Sequence, residues 1–290
     1  MVAAFALPNL CAPVNKPPVF SRSQSEATMS IVDKLLNSLD FSPRGQVIAR
    51  EEDHCGEIIV SDHKDFRTLR FDGICEQSKM CISAPQVPVH NYIKTMLMAV
   101  AWQPPSAALI LGLGGGSLVR ALHAYDPGML LEVVELRPAV VSVARRYFTL
   151  PADETVILHT ADAADFLQAP ATRHYDLIFS DLYSAFAMDP QQGTRTFLEQ
   201  CAGRLSPHGW LVLNYHEVPD EGTLLYHSLH CAFKTVLYCV APSGNVIIYA
   251  TPGHLETPLS LLRRLSAAVG PTFGCDLGFL SRKIERLHFS

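Results

Sequence analysis

Residues 108–135, ALILGLGGGSLVRALHAYDPGMLLEVVE, restrict what this chain can fold into more than any other stretch. Ala108 to Leu111 is a short apolar run of strand length, and Gly112, Gly114, Gly115 and Gly116 follow it directly. Ser117 is placed to cap a helix along which Leu118, Leu122 and Tyr125 keep helical spacing. Met129 to Val134 is a second apolar run, and it closes on Glu135. Strand, glycine turn, helix, strand and acid form the order of a nucleoside- or dinucleotide-binding βαβ unit. In such a unit the glycines let backbone approach a ligand, and the helix N-terminus offers unpaired N–H groups. The acid about 20 residues on accepts from ribose hydroxyls.

From residue 108 onward, strand and helix patterns alternate. Strands are expected at 108–111, 130–134, 155–159, 176–180 and 210–214, and helices at 117–125, 138–147, 163–168 and 194–205. That alternation predicts an α/β, Rossmann-like, mostly parallel sheet with helices on both faces. Residues 222–251 read as a helix followed by two strands that finish the sheet in antiparallel fashion, and LSLLRRLSAAVG in the C-terminal stretch as an amphipathic helix. Ahead of this core, residues 46–74 carry short, partly alternating runs with an Asp72-Gly73 turn, the pattern of a small antiparallel sheet. QSKMCISAPQVPVHNY, with two prolines, reads as a loop, and Tyr92 to Trp102 as helix. The prolines and serines of residues 1–28 predict a disordered tail, and MSIVDKLLNSLDF from Met29 a short amphipathic helix. The expected division is a tail (1–28), a small β domain with a leading helix (29–92) and a Rossmann-like domain (93–290).

A net charge of −5 gives no electrostatic case for nucleic acid or an anionic membrane. No apolar run approaches the roughly 18 residues of a membrane span. The eight cysteines form no CxxC pair, so no metal site is expected. With no basic, apolar leader at the start, the thiols read as reduced, in a cytoplasmic protein.

Three acids fall at successive expected strand ends: Glu135, Asp162 after ILHTA, and Asp181 after YDLIFS. Ligands of open α/β sheets bind at that rim. Each acid is also a natural helix or turn cap. Three of them behind a glycine turn imply an adenosine-like ligand, with Glu135 on the ribose, Asp162 on the adenine amino group and Asp181 beside the reacting centre. Tyr183 either walls an acceptor pocket or packs in the core. Asp189 is a distant candidate for a further carboxylate, and His216 and Glu217 read more simply as surface residues.

Several segments together resemble the spermidine synthase family, whose core is shared with class I S-adenosylmethionine (AdoMet)-dependent methyltransferases. The resemblance runs over roughly residues 46–215. EEDHCGEIIV and RFDGICEQS are similar to the family's N-terminal strands and DGxxQ turn, with Gln77 as the glutamine. VHNYIKTML is similar to its YHE segment and puts His90 on the histidine. LILGLGGGSLVRAL is similar to the GGGDGG loop. VVELRPAVVSVARRYF supplies Glu135, TADAADFL supplies the adenine pair Asp162-Ala163, and DLIFSDLYS resembles the catalytic DSxDP segment. RLSPHGWLVLN resembles the LxPGG turn.

The departures share a direction. The loop aspartate that grips the aminopropyl ammonium falls at Gly115, and the second aspartate of DSxDP at Ser184. YHE has become Val89-His90-Asn91, and the family's early nucleoside-binding glutamine falls on Cys55. The nucleoside half is kept while acids of the amine half are shed, and Gly115 would leave N–H groups free for the carboxylate of intact AdoMet.

The resemblance therefore implies a transferase binding AdoMet or decarboxylated AdoMet, with no metal. It implies transfer of an aminopropyl-type group to an amine acceptor. Methyl transfer and a non-catalytic nucleoside-binding homologue are the alternatives. An NAD(P) oxidoreductase shares the glycine turn but leaves Asp162, Asp181 and the N-terminal sheet unexplained. By resemblance the chain forms a homodimer. The nucleoside would meet Gly112, Gly114, Gly115, Gly116, Glu135, Asp162, Ala163, Gln77 and Cys55. His90 and Ser184 would meet substrate, and Asp181 and Tyr183 would serve catalysis.

Overall fold

The computed structural model describes residues 45–73, 75–183 and 188–289. The expected tail, the helix from Met29 and the candidate Ser184 lie outside the described residues. Two sheets organise the described residues. The first is antiparallel, in the order β1 (Gln46–Asp53), β2 (Gly56–His63), β3 (Phe66–Phe71), β4 (Cys75–Cys81). β4 corrects the expectation of a loop from Gln77. Its inward positions are Ser78 and Met80, both buried, so the alternation is hidden by a serine.

Helix α1 (Asn91–Leu97) and a 3₁₀ turn (Met98–Ala101) lead into the second sheet. There β5 (Ala107–Leu111), α2 (Ser117–Tyr125), β6 (Leu130–Glu135), α3 (Pro138–Tyr147), β7 (Val156–Thr160), α4 (Ala163–Gln168) and β8 (Tyr175–Ser180) alternate as the hydrophobic pattern dictates. α5 (Arg195–Arg204), β9 (Leu205–Tyr215), α6 (Leu224–Ala232), β10 (Thr235–Val240), β11 (Val246–Thr251), α7 (Leu259–Val269), α8 (Gly278–Arg282) and β12 (Glu285–Arg286) complete it. The spatial order is β12-β10-β11-β9-β8-β5-β6-β7. The pairs among β5 to β9 are parallel, and those of β10, β11 and β12, including β11 with β9, are antiparallel.

Each central strand divides its side chains by alternation. Ala108, Ile110, Val133, Leu177, Phe179 and Val212 face one apolar layer with α1, α2 and α7. Leu109, Leu111, Val134, Ile178, Leu211 and Leu213 face the other, with α4, α5 and α6. The small sheet buries Ile58, Val60, Leu69, Phe71 and Met80 against Val140 and Val143 of α3 and Phe148. This packing lays the small sheet beside the rim where β5 and β6 end.

Among the described residues no helix is long and apolar enough to cross a membrane.

Candidate active site

Strand order reverses between β5, which continues to β6 and β7, and β8, which continues to β9. At such a switch point the loops diverge and leave a crevice at the carboxyl ends of the strands. Gly112 and Asp181 begin those loops side by side, and Asp181 N donates to Leu111 O at 2.9 Å. Gly112 has φ 93°, and a Cβ there would stand 2.4 Å from the Asp181 carbonyl oxygen, so the backbone approach requires glycine.

Above this point lies a cavity of about 1170 Å³. Its floor is Gly112, Leu113, Gly114 and the start of α2, with Glu135, Leu136 and Arg137 to one side. Asp181, Leu182 and Tyr183 form the opposite side, continued by Asn214, Tyr215, His216, Ser243 and Asn245. Cys55, Phe71, Glu76, Gln77 and Ser78 of the small sheet, with His90, Tyr92 and Ile93, close the third wall. Gly115 and Gly116 are not among the lining residues. Asp162 and Ala163 line a neighbouring recess of about 50 Å³, and Leu136, Leu182 and Asp189 line both spaces. Leu136 is 52% exposed, an apolar side chain left open at the edge of the cleft.

Glu135 is 9% exposed. Its Oε2 accepts from Leu113 N at 3.0 Å and its Oε1 from Arg137 N at 2.9 Å. Burial pushes its pKa up, and these N–H groups with that of Gly114 pull it part of the way back. The carboxylate thus fastens the glycine turn to the tip of β6 while still facing the cavity. Asp162 caps α4, with Oδ1 accepting from Ala164 N at 2.7 Å and Asp165 N at 3.3 Å.

Asp181 is held by neutral donors. Asn214 Nδ2 donates to its Oδ1 at 2.7 Å, and the Tyr92 hydroxyl is a second partner. Burial raises its pKa, and the two donors oppose that rise without cancelling it. The chain of amides continues outward. Asn245 Nδ2 donates to Asn214 Oδ1 at 3.0 Å, and Ser243 Oγ donates to Asn245 Oδ1 at 2.7 Å. Because a carboxylate ends this chain, the orientation of each amide along it is fixed. The Tyr183 hydroxyl is buried beside Asn245 and has no hydrogen-bond partner among the described residues.

One expectation about the glycine turn is corrected. Ser117 is the first helical residue rather than the cap; Gly116, at φ 74°, occupies the cap without a side-chain bond. The Gly115 N–H is not free for a ligand carboxylate, because it donates to Ser78 Oγ at 2.8 Å. Beneath the turn, buried Arg120 donates to Pro85 O at 2.7 Å, to Phe148 O at 2.8 Å and to Gly115 O. Burial pushes its pKa down to about 10.

Several contributors carried no sequence signal. Arg137, 7% exposed, grips Asp53 through Nε–Oδ2 (3.0 Å) and Nη2–Oδ1 (2.7 Å), and donates to Gly56 O at 2.8 Å. It thereby docks the β1–β2 turn, including Cys55, on the cavity. Asp53, His54 and Cys55 bring ligand-type atoms within 4.8 Å of one another, yet both Asp53 oxygens are already committed to Arg137. Gln192, fully buried, donates through Nε2 to Leu182 O at 3.0 Å, and its Oε1 accepts from Ser180 Oγ at 2.6 Å. It ties the Ser180 hydroxyl to the Leu182 backbone, the residues on either side of Asp181.

A family model described as the spermine/spermidine synthase domain matches residues 88–256. The chain belongs to the spermine/spermidine synthase family. A polyamine aminopropyltransferase of Chromobacterium violaceum is 30% identical over 235 residues, 79% of this chain and 90% of that one. An eEF1A lysine and N-terminal methyltransferase of Bos taurus is 32% identical over 125 residues, 39% of this chain and 18% of that protein. The crystal structure of a probable spermidine synthase from Corynebacterium glutamicum superposes with a TM-score of 0.63 at 19% identity, over 75% of this chain and 86% of that one. The mostly parallel second sheet and the small antiparallel first sheet of this chain agree with the fold expected from the sequence.

Proposed function

We propose that this protein is a transferase that binds a sulfonium nucleoside of the AdoMet type. It moves an aminopropyl-type group from the sulfur to an amine nitrogen. The observation that carries this reading is the placement of Glu135 and Asp181 in one cavity, on either side of the glycine turn. The adenine would lie toward Leu136, Leu182, Asp162 and Ala163, and the ribose hydroxyls on Glu135. Glu76, Glu135, Asp181 and Asp189 line the cavity; the guanidinium of Arg137 is neutralised by Asp53, and of the four acids Glu76 is paired with Lys79. Such a lining favours a cation, and both the sulfonium and an amine acceptor are cations.

The chemistry is a displacement at the carbon next to sulfur. The sulfonium leaves as a neutral thioether, and its electron pair stays on sulfur. The acceptor nitrogen must reach the carbon in line and lose a proton. Asp181 has the position and the raised pKa of a group that orients an ammonium and takes its proton. Tyr183 and the Asn214–Asn245 chain would position the acceptor around it.

Methyl transfer from intact AdoMet is the second reading, favoured by Gly115 in place of the loop aspartate. Calorimetry decides between them. Preference for decarboxylated AdoMet supports aminopropyl-type transfer, and preference for AdoMet supports methyl transfer. Absence of binding by either, and by methylthioadenosine, rejects both. We also propose a homodimer, to be tested by sedimentation of the full chain.

A further inference from the structure

The space where the family's loop aspartate would reach is closed in this protein. A Cβ on residue 115 would meet Ser78 Cβ at 2.9 Å and the Phe148 ring at 3.0 and 3.2 Å, and the Gly115 N–H already donates to Ser78 Oγ. Whatever holds the charged end of the donor's tail must therefore come from elsewhere on the cavity wall.

The strand that closes that space also supplies a carboxylate. The pairing of β3 with β4 runs Leu69 with Ser78 and then Arg70 with Glu76, so Gln77 is an extra residue in a β-bulge. The Asp72-Gly73 turn followed by two residues leads to Glu76, one position before Gln77. The bulge absorbs the added residue, and both Glu76 and Gln77 line the cavity. Glu76 lies about one pleat repeat, roughly 6–7 Å, along β4 from Ser78 and the glycine turn.

His90, the N-cap residue of α1, faces Glu76. Its Nε2 is buried and has no hydrogen-bond partner among the described residues, and Glu76 Oε1 stands 3.7 Å away. That distance is too long for a hydrogen bond, but it suits a donor lying between the two atoms. Lys79 Nζ is 3.6 Å from the other oxygen, Oε2, so Oε1 is the oxygen turned toward His90. Burial holds the His90 pKa down, with the Glu76 charge opposing it, so the neutral ring can offer a lone pair. A buried polar atom left unpaired is costly and calls for a ligand or another explanation.

We infer that Glu76 and His90 together hold the ammonium at the end of the donor's sulfonium-borne tail, in place of the loop aspartate absent at Gly115. This assignment rests on the nucleoside lying as proposed above. One carboxylate and one neutral imidazole make a site for a single ammonium, reached from the sulfur by a short alkyl chain running past the glycine turn. Glu76 is then a specificity-determining residue for the donor.

The test uses the full-length chain and two probes that differ in the tail. Methylthioadenosine has the nucleoside and no ammonium; decarboxylated AdoMet has both. Glu76→Gln is expected to weaken decarboxylated AdoMet about tenfold or more, the scale of a charge-assisted hydrogen bond, and to leave methylthioadenosine within about twofold. His90→Ala should act in the same direction with a smaller factor. Unchanged methylthioadenosine affinity also shows that each variant is folded. If the wild type binds methylthioadenosine but Glu76→Gln weakens both probes alike, or neither, this inference fails and the nucleoside placement stands. If the wild type binds neither probe, both fail.

Discussion

Arg137 and Asp53 form a two-pronged ion pair across the two sheets, and the backbone N–H of the same Arg137 donates to Glu135 Oε1. One residue therefore holds both the turn that carries Cys55 and the acid proposed for the ribose. The Arg137 guanidinium also lies over the Phe71 ring, 4.5 Å from its centroid. Asp53 feels burial, which raises its pKa, but the Arg137 contacts and the Cys55 N–H bring it net below the ordinary value of 3.8.

Breaking this pair leaves a buried charge without its partner. Asp53→Asn is expected to lower stability by about 3 kcal/mol, within the range for a buried pair that loses one member. A carboxylate with a depressed folded-state pKa adds stability at pH above its unfolded value, and that stability is lost as pH falls through the folded value. The difference between wild type and Asp53→Asn should therefore be full near neutral pH and shrink below about pH 4. Denaturant melts across pH measure it, and a difference independent of pH would show that the pair is not the source.

Asp181 behaves in the opposite sense. Its pKa is raised by burial, so keeping it ionised at neutral pH costs stability. Asp181→Asn should raise Tm above wild type at pH 7–8. As pH falls through the raised pKa, the wild-type fold takes up its proton before the unfolded chain does, so the gap should close. The same substitution should abolish transfer and weaken a cationic donor more than neutral methylthioadenosine. A variant that loses stability at neutral pH would mean the carboxylate is structural.

Much of this arrangement was legible in the chain because backbone needs and hydrophobic period agree. α2, α3 and α4 begin and end where spacing and turn residues put them, and Asp162 caps α4 as an acid in that place should. β4 was hidden because a serine, Ser78, takes an inward position where the pattern asks for an apolar residue. Asn214, Asn245 and Gln192 were illegible for a different reason. Amides announce nothing by spacing, and Asn245 reaches Asn214 because β11 pairs back along β9, with Ile247 opposite Asn214. Glu76 was masked by the glutamine beside it. A one-residue bulge is invisible until the register is known.

Glu135 offers a direct test of the nucleoside placement. Glu135→Ala should weaken methylthioadenosine by about 1–3 kcal/mol, the scale of hydrogen bonds to a charged group. It should also loosen the glycine turn, because Leu113 N and Arg137 N lose their acceptor. Glu135→Gln keeps an acceptor and should lose less of both. Calorimetry with methylthioadenosine reads the first effect, and amide exchange at Leu113 the second. Equal affinity in wild type and Glu135→Ala would remove Glu135 from the ribose.

Restoring the loop aspartate should fail. Gly115→Asp places a Cβ 2.9 Å from Ser78 Cβ and 3.0 Å from the Phe148 ring, neither of which is the free end of a flexible chain. Overpacking of this kind costs about 1–3 kcal/mol. The variant should melt earlier and bind decarboxylated AdoMet no better than wild type. Adding Ser78→Gly removes the nearest contact and should recover part of the stability, though the Gly115 N–H then loses its acceptor. Improved binding of decarboxylated AdoMet by Gly115→Asp alone, with unchanged Tm, would show that the aspartate's space is open and that Glu76 is not its replacement.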